Sequence, residues 1–231
     1  MCFTIPFHRF SPFLLAAILA FLSHGCATGG APVSKAEKIY RKGQERLIQG
    51  NTDEALGYFR ESLAAAELEG SQQGAAASLQ AIAYAQIRKK EWRKALQAMN
   101  KALAANQDIL KTALQQRENT QRINVLGGKV ASDLYDLARL HRQLGEPEAA
   151  LGRLRALLEI DLRLGRRRGS AITHNNMGRI LTALDRTEEA EPHYRAALAM
   201  FEKLNDEKGM DTVRRNLSFL EEVRSRKGRT R

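Results

Sequence analysis

Two stretches of the chain, residues 145–158 (GEPEAALGRLRALL) and residues 185–198 (DRTEEAEPHYRAAL), share one spacing of residue types. A turn residue is followed five positions later by an alanine, then after four more by a large apolar residue, and then by a pair of small or leucine residues. The same spacing recurs at residues 50–63 and 90–103. Apolar residues at three- and four-residue steps predict an amphipathic helix after each turn. The alanines of the four copies are Ala55, Ala95, Ala150 and Ala190.

A small residue also precedes each turn position by seven residues. These residues are Gly43, Ala83, Ala138 and Gly178. Small residues before and after a turn let two antiparallel helices approach closely, and an aromatic residue such as Phe59 or Tyr194 fills the space toward the next repeat. A single helix pair cannot bury both of its faces, so the pattern predicts stacked pairs that share a continuous core.

The composition agrees with an all-α chain. The 231 residues are 43% hydrophobic and 27% charged, with only 5 prolines. Strong helix formers such as Ala, Leu, Glu, Arg and Lys dominate. No stretch after residue 30 alternates apolar and polar residues as a half-buried strand does.

The four copies together resemble the tetratricopeptide repeat, and the resemblance covers most of residues 36 to 204. It implies an all-α fold, a right-handed superhelix of antiparallel helix pairs, or α-solenoid. A generic helical bundle is the alternative. The expected domains are four repeats near residues 36–69, 76–126, 131–165 and 171–204, then a capping helix at 210–226 and a basic tail at 227–231.

The repeats are longer than the standard 34 residues. The key alanine advances by 40 residues from Ala55 to Ala95, and again from Ala150 to Ala190. This resembles the longer variant of kinesin light chains, and Asn175-Asn176-Met177-Gly178 resembles the Asn-Leu-Gly signature of that variant.

The second repeat holds additional residues between 104 and 127. From the key alanine to the glycine at the next junction there are 33 positions in this repeat, against 19 in the others. We expect a protruding extended helix or helix-loop there, either a partner contact or a tolerated surface elaboration. Gly127-Gly128-Lys129 is interpreted as a turn that breaks the helix, because a phosphate loop would need a further glycine at position 123, where Ile stands.

The N-terminus is expected to be a processing segment. The apolar run from Ser11 to Leu22 is too short to span a bilayer as a helix. The residues up to Gly25-Cys26 resemble a bacterial lipoprotein box, which implies a signal peptide at residues 1–25, a lipid on Cys26 and a tether through residue 34. The expected location is the bacterial cell envelope, facing the periplasm and with the outer membrane favoured. Plain secretion to the periplasm and an uncleaved anchor are the alternatives.

The sequence offers little for catalysis. The predicted mature chain has three histidines, His141, His174 and His193, and none forms a His-Glu-x-x-His pair. Cys26 is its only cysteine, so a zinc-ligand cluster is not expected. We therefore predict a protein that is not an enzyme and has no cofactor and no metal.

The resemblance implies a peptide-binding groove lined by the first helix of each pair. Arginine with tyrosine and asparagine on such a wall suits an acidic peptide, because guanidinium binds carboxylate bidentately. Ordinary solvated side chains are the alternative. The groove positions hold Tyr40, Gln44, Gln80, Tyr84, Arg88, Tyr135, Arg139, Arg142, Asn175, Arg179 and Arg215.

The net charge of +11 is consistent with an anionic partner. Export argues against nucleic acid and favours an acidic protein, an anionic membrane surface or a cell-wall polymer. The preferred function is an envelope-anchored protein-interaction scaffold in the assembly of a secretion, pilus or outer-membrane complex. The alternative is a periplasmic binding or structural protein that contacts a cell-wall polymer or anionic lipid.

Overall fold

The computed structural model describes residues 33–229, and the segment with the expected signal peptide and Cys26 lies outside the described residues. The described chain consists of helices joined by short turns, without a strand. They are α1 (Lys35–Ile48), α2 (Thr52–Leu68), α3 (Gln72–Arg88), α4 (Trp92–Gln115), α5 (Thr120–Gln143), α6 (Pro147–Arg163), α7 (Arg167–Ala183), α8 (Thr187–Lys203) and α9 (Glu207–Arg229).

Each helix packs against the next along the chain, and the first helices of neighbouring pairs also touch, α1 with α3 and α7 with α9. This arrangement confirms the predicted α-solenoid of antiparallel helix pairs. Each pair leaves an apolar face that the next pair covers, so a main core runs from Leu47 to Leu220. A smaller separate cluster lies in the first pair and consists of Ala36, Ile39, Ala65 and Ala66.

Every turn between helices contains one residue with positive φ, which reverses the chain after the helix C-terminus. The predicted turn positions Gly50, Lys90, Gly145 and Asp185 are all in this conformation. The remaining turns use Gly70, Arg117, Gly165 and Asn205.

The four key alanines are fully buried, each with 0% of its surface exposed. They are followed by the side chains that fill the space between helices, and all four of these, Phe59, Met99, Leu154 and Tyr194, are also buried. The predicted helix-pair register is therefore confirmed.

The additional residues of the second repeat lengthen both helices of one antiparallel contact. The helices α4 and α5 have 24 residues each, whereas α3 and α6 have 17. Buried Leu110 and Ala113 on α4, with Leu126 and Val130 on α5, continue the core into the added turns. The additional residues therefore extend the packed array instead of forming a loop.

The interpretation of Gly127-Gly128-Lys129 as a helix-breaking turn is wrong, because all three lie inside α5. The chain reverses at Arg117 instead. A Cβ at Gly127 would meet Cδ1 of Leu164, which is the end of a partly exposed side chain.

The last helix, α9, has no successor to pack against. Met210, Val213 and Leu220 are buried toward the array. Arg224 donates to the carbonyl of Thr187 at 3.0 Å and so ties the end of α9 to α8. From residue 33 to residue 229, no helix is long and apolar enough to cross a membrane.

Candidate functional site

The predicted groove residues lie on the first-type helices α1, α3, α5 and α7 and on α9. Most of them stand three positions before or one position after the small residue of their repeat, whereas Arg88 stands five positions and Arg142 four positions after it. The structure divides them into side chains that hold the array together and side chains that remain exposed.

On α1 and α3, two predicted groove residues make internal contacts. The ring of Tyr40 packs on Phe59 with a centroid distance of 5.5 Å, and burial raises the pKa of Tyr40 to about 12. Arg88 donates to the carbonyl of Leu47 at 2.8 Å, which links α3 to the end of α1. Gln44 is half-buried. At this end of the predicted groove, the side chains therefore mostly make contacts within the array.

Between α3 and α5, side chains bridge consecutive first-type helices. Gln80 donates through Nε2 to Oδ1 of Asp133 at 2.5 Å. The hydroxyl of Tyr84 donates to Oδ2 of Asp136 at 2.7 Å. Gln80 and Tyr84 are therefore hydrogen-bonded to α5. A ligand could bind their polar groups only by displacing these hydrogen bonds.

Asp133 and Asp136 bind two predicted groove residues, but neither aspartate was predicted from the sequence. Asp133 is fully buried and also accepts from Nδ2 of Asn106 at 2.7 Å. Burial raises the pKa of Asp133 to about 6 and also raises that of Asp136. The position of Asp133 in the sequence could have indicated its burial. Asp133 stands five residues before the small residue of its repeat, as the buried residues Ser78 and Thr173 do in theirs.

At the other end of the array, Asn175 is buried and accepts from Nδ2 of Asn216 at 2.8 Å. This bond joins α7 to α9. Asn175, which was predicted to contact a ligand, instead holds the last two first-type helices together.

Six predicted groove residues are exposed, and one of them, Arg88, donates to the carbonyl of Leu47. We call the other five the basic wall: Tyr135, Arg139, Arg142, Arg179 and Arg215.

Arg139 is partly compensated, since Nη1 lies 3.4 Å from Oδ1 of Asp136. Its guanidinium also lies over the ring of Tyr135, 6.0 Å from the centroid. This contact orients both side chains along one face of α5.

Arg142 and Arg179 repel each other across α5 and α7. Partial burial, and then the nearby charge of Arg179, lower the pKa of Arg142. Within the part of the chain that the structure describes, neither side chain forms an ion pair. The centre of the basic wall therefore carries uncompensated positive charge on two consecutive repeats.

Phe219 on α9 is a further exposed residue at a groove position. It follows Ser218 as Arg179 follows Gly178 and Arg139 follows Ala138, and its side chain is 53% exposed. The sequence could have indicated Phe219, because Phe219 stands at the position of α9 that is equivalent to Arg179 on α7. Only Arg215 was predicted on this helix.

The histidines do not converge on a metal site. Nδ1 of His174 lies 2.9 Å from Nδ1 of His193, and the ring centroids are 5.2 Å apart, so the nitrogens face each other head-on as in a shared N–H···N bond. Burial lowers the pKa of both. His141 contacts Glu146 at 2.8 Å. Among the described residues, no group of three or more His, Cys, Asp or Glu is arranged to hold a metal ion.

The described helices form an α-solenoid of antiparallel pairs that is similar to tetratricopeptide-repeat folds. Residues 129–203 match the family model described as "Tetratricopeptide repeat". The match covers the third and fourth helix pairs, and the helix-pair geometry continues on both sides of it. No curated protein matches the chain.

Solved structures with the same fold are similar over most of this chain. The apo form of RapI has a TM-score of 0.69 at 17% identity, covering 91% of this chain and 54% of RapI, so the chain spans about half the length of that protein. BtubC from P. vanneervenii has a TM-score of 0.59 at 19% identity, covering 83% of this chain and 80% of BtubC. A putative kinesin light chain from Podospora anserina has a TM-score of 0.63 at 13% identity, covering 87% of this chain and 92% of that one. At these identities the likeness shows the fold alone.

Proposed function

We propose that this protein is an interaction scaffold whose basic wall binds an acidic segment of a partner protein. The observation that carries the proposal is the pair Arg142 and Arg179, two guanidinium groups on consecutive repeats without ion pairs in the described chain. Solenoid folds of this kind typically present extended concave surfaces for binding.

The chemistry of the wall favours a carboxylate-bearing ligand. Each guanidinium offers a planar pair of donors that matches a carboxylate, and a carboxylate between Arg142 and Arg179 would relieve their mutual repulsion. Arg139 on α5 and Arg215 on α9 are also exposed and add to the positive charge of the wall. Such contacts at the surface are screened by salt, so binding should weaken as ionic strength rises.

The proposed location is the bacterial cell envelope, with the chain attached through a lipid on Cys26 and the array facing the periplasm. This part of the proposal rests on the sequence alone, on the apolar run before Gly25-Cys26. A scaffold held at a membrane would act in the assembly of a secretion, pilus or outer-membrane complex. The protein would have no catalytic role of its own.

The function is tested with a fluorescein-labelled peptide of glutamates separated by serine and glycine, and with the corresponding lysine peptide. We expect the array to bind the glutamate peptide and the double variant Arg142→Gln with Arg179→Gln to bind it about tenfold more weakly or worse. Fluorescence anisotropy at low and high salt gives the dissociation constants. Circular dichroism should show unchanged helical content, since both side chains are exposed.

A matched control removes the same charge elsewhere. Arg60 and Lys101 are exposed on second-type helices, α2 and α4. The double variant Arg60→Gln with Lys101→Gln should keep the wild-type affinity. If both double variants lose affinity equally, the binding follows net charge alone and the basic wall is not the site.

A further inference from the structure

Phe219 is the one exposed phenylalanine in the stretch from residue 33 to residue 229. Phe59 and Phe201 are buried to 1% and 4% exposure, whereas Phe219 is 53% exposed. A single exposed apolar residue is ordinary on a protein surface. The position of Phe219 is unusual, because Phe219 stands at the place on α9 that is equivalent to Arg139 and Arg179 of the basic wall.

Phe219 continues the row that Arg139 and Arg179 form on α5 and α7. In each case the residue stands one position after the small residue of the repeat. Arg215 precedes Phe219 by one helical turn and is also exposed, so the two share a face of α9. The bond between Asn216 and Asn175, at 2.8 Å, fixes α9 against α7 and holds this row in place.

The distance between these positions sets a spacing for a ligand. Packed helices lie about 8–10 Å apart, and α7 and α9 are in contact. Equivalent positions on the two helices, Arg179 and Phe219, are therefore separated by about one such distance. An extended peptide advances about 3.3 Å per residue, so about three residues span it.

We propose that Phe219 is an apolar anchor of the binding wall, and that the ligand is an extended acidic peptide with a large apolar side chain about three residues from the carboxylate that contacts Arg179. This inference rests on the proposed function of the basic wall. Charge alone would select any acidic chain, whereas the paired requirement selects a peptide with both groups at the correct separation. Phe219 then contributes specificity, because a polar ligand side chain at that point would leave the ring of Phe219 exposed to water.

The test uses four fluorescein-labelled peptides of equal length and charge on a serine and glycine background with flanking glutamates. One carries Leu three residues after the central Glu, one carries Leu three residues before it, one carries Leu immediately after it, and one carries Ser in place of Leu. The first two cover both directions of binding. We expect wild-type protein to bind one of these two about tenfold more tightly than the Ser peptide and the adjacent-Leu peptide.

Variants at Phe219 assign that preference. Phe219→Ser should bind all four peptides with the affinity that wild type has for the Ser peptide, and Phe219→Leu should retain most of the preference. Leu162 on α6 is 58% exposed and lies on a second-type helix, so Leu162→Ser is the matched control and should bind as wild type does. Circular dichroism of each variant checks that the array is folded.

The outcomes separate this inference from the function on which it rests. If wild type binds the Leu and Ser peptides equally, or if Phe219→Ser keeps the preference, the anchor is overturned. Loss of binding in the Arg142 and Arg179 double variant would still support the proposed function in that case. If wild type binds none of the peptides, the proposed function falls, and the anchor falls with it.

Discussion

The ring of Tyr194 occupies the space that a side chain on Gly178 would need, since a Cβ on Gly178 would lie 2.7 Å from Cε1 of that ring. The same relationship holds in the first repeat, where a Cβ on Gly43 would lie 2.6 Å from Cε1 of Phe59. Each glycine lets the two helices of a pair approach closely enough for the aromatic ring to be buried between them. The repeated pattern of small and aromatic residues is thus explained by direct contact.

Gly178→Ala should destabilise the array by about 1–3 kcal/mol through overpacking. Tyr194 cannot move aside easily, because its side chain is 1% exposed and its hydroxyl lies 3.2 Å from Oγ1 of Thr182. Urea unfolding followed by circular dichroism measures the change. Gly152→Ala is the control, since nothing lies within 4 Å of a Cβ there, and replacing a glycine within a helix should stabilise by about 0.5–1 kcal/mol. Equal stability of the two variants would contradict the contact.

Arg117→Gly should stabilise the protein by about 1 kcal/mol. Arg117 reverses the chain between α4 and α5 with φ of 54°, a left-handed conformation that glycine adopts without steric cost. The adjacent Gln116 has φ of −78°, so Gln116→Gly relieves no strain and should stabilise nothing. Thermal melts of the two variants compare them directly. A lower melting temperature for Arg117→Gly would place the chain reversal elsewhere.

The pair His174 and His193 should make stability depend on pH. Burial lowers the pKa of both imidazoles in the folded protein. Stability from this pair is therefore present above the unfolded pKa of about 6.5 and is lost as the pH falls through the lowered folded values. The nearby charges are Arg155, which lowers the pKa of His193, and Glu189, which raises it. Protonating both rings would break the shared N–H···N bond and place two cations together.

His193→Gln should reduce this dependence. Melting temperatures of wild type and variant, measured from about pH 7 to about pH 5, should converge toward acidic pH. His174→Gln should give the same flattening, because either change removes the titrating pair. Parallel profiles for wild type and both variants would show that the pair does not control stability.

Cys26→Ser should release the full-length protein from the membrane fraction of a bacterial host. Each buried methylene of an acyl chain contributes about 0.8 kcal/mol to membrane binding, and serine provides no thiol for the lipid. Fractionation and immunoblotting follow the location, and mass spectrometry of the wild type detects the acyl groups. Membrane retention of the variant together with an unmodified wild-type mass would disprove the lipid anchor.

The sequence by itself determined the helix pairs and the turns. Ala55 and its three counterparts are buried, and the chain reverses at each turn position predicted beside them. These features follow from local spacing, because side-chain periodicity and the turn residue act within a few positions along the chain. The candidate groove positions could be assigned for the same reason.

Only the tertiary structure decided what those positions do. Tyr84 is bound to Asp136 on another repeat, whereas Arg142 and Arg179 remain without ion pairs in the described chain. The added turns likewise extend α4 and α5 together, with the reversal at Arg117 rather than at the glycines of α5. Such pairings join residues about fifty positions apart in sequence, as between Tyr84 and Asp136. They depend on the rotation and separation of neighbouring repeats, which arise from packing of the whole array and which no local pattern encodes.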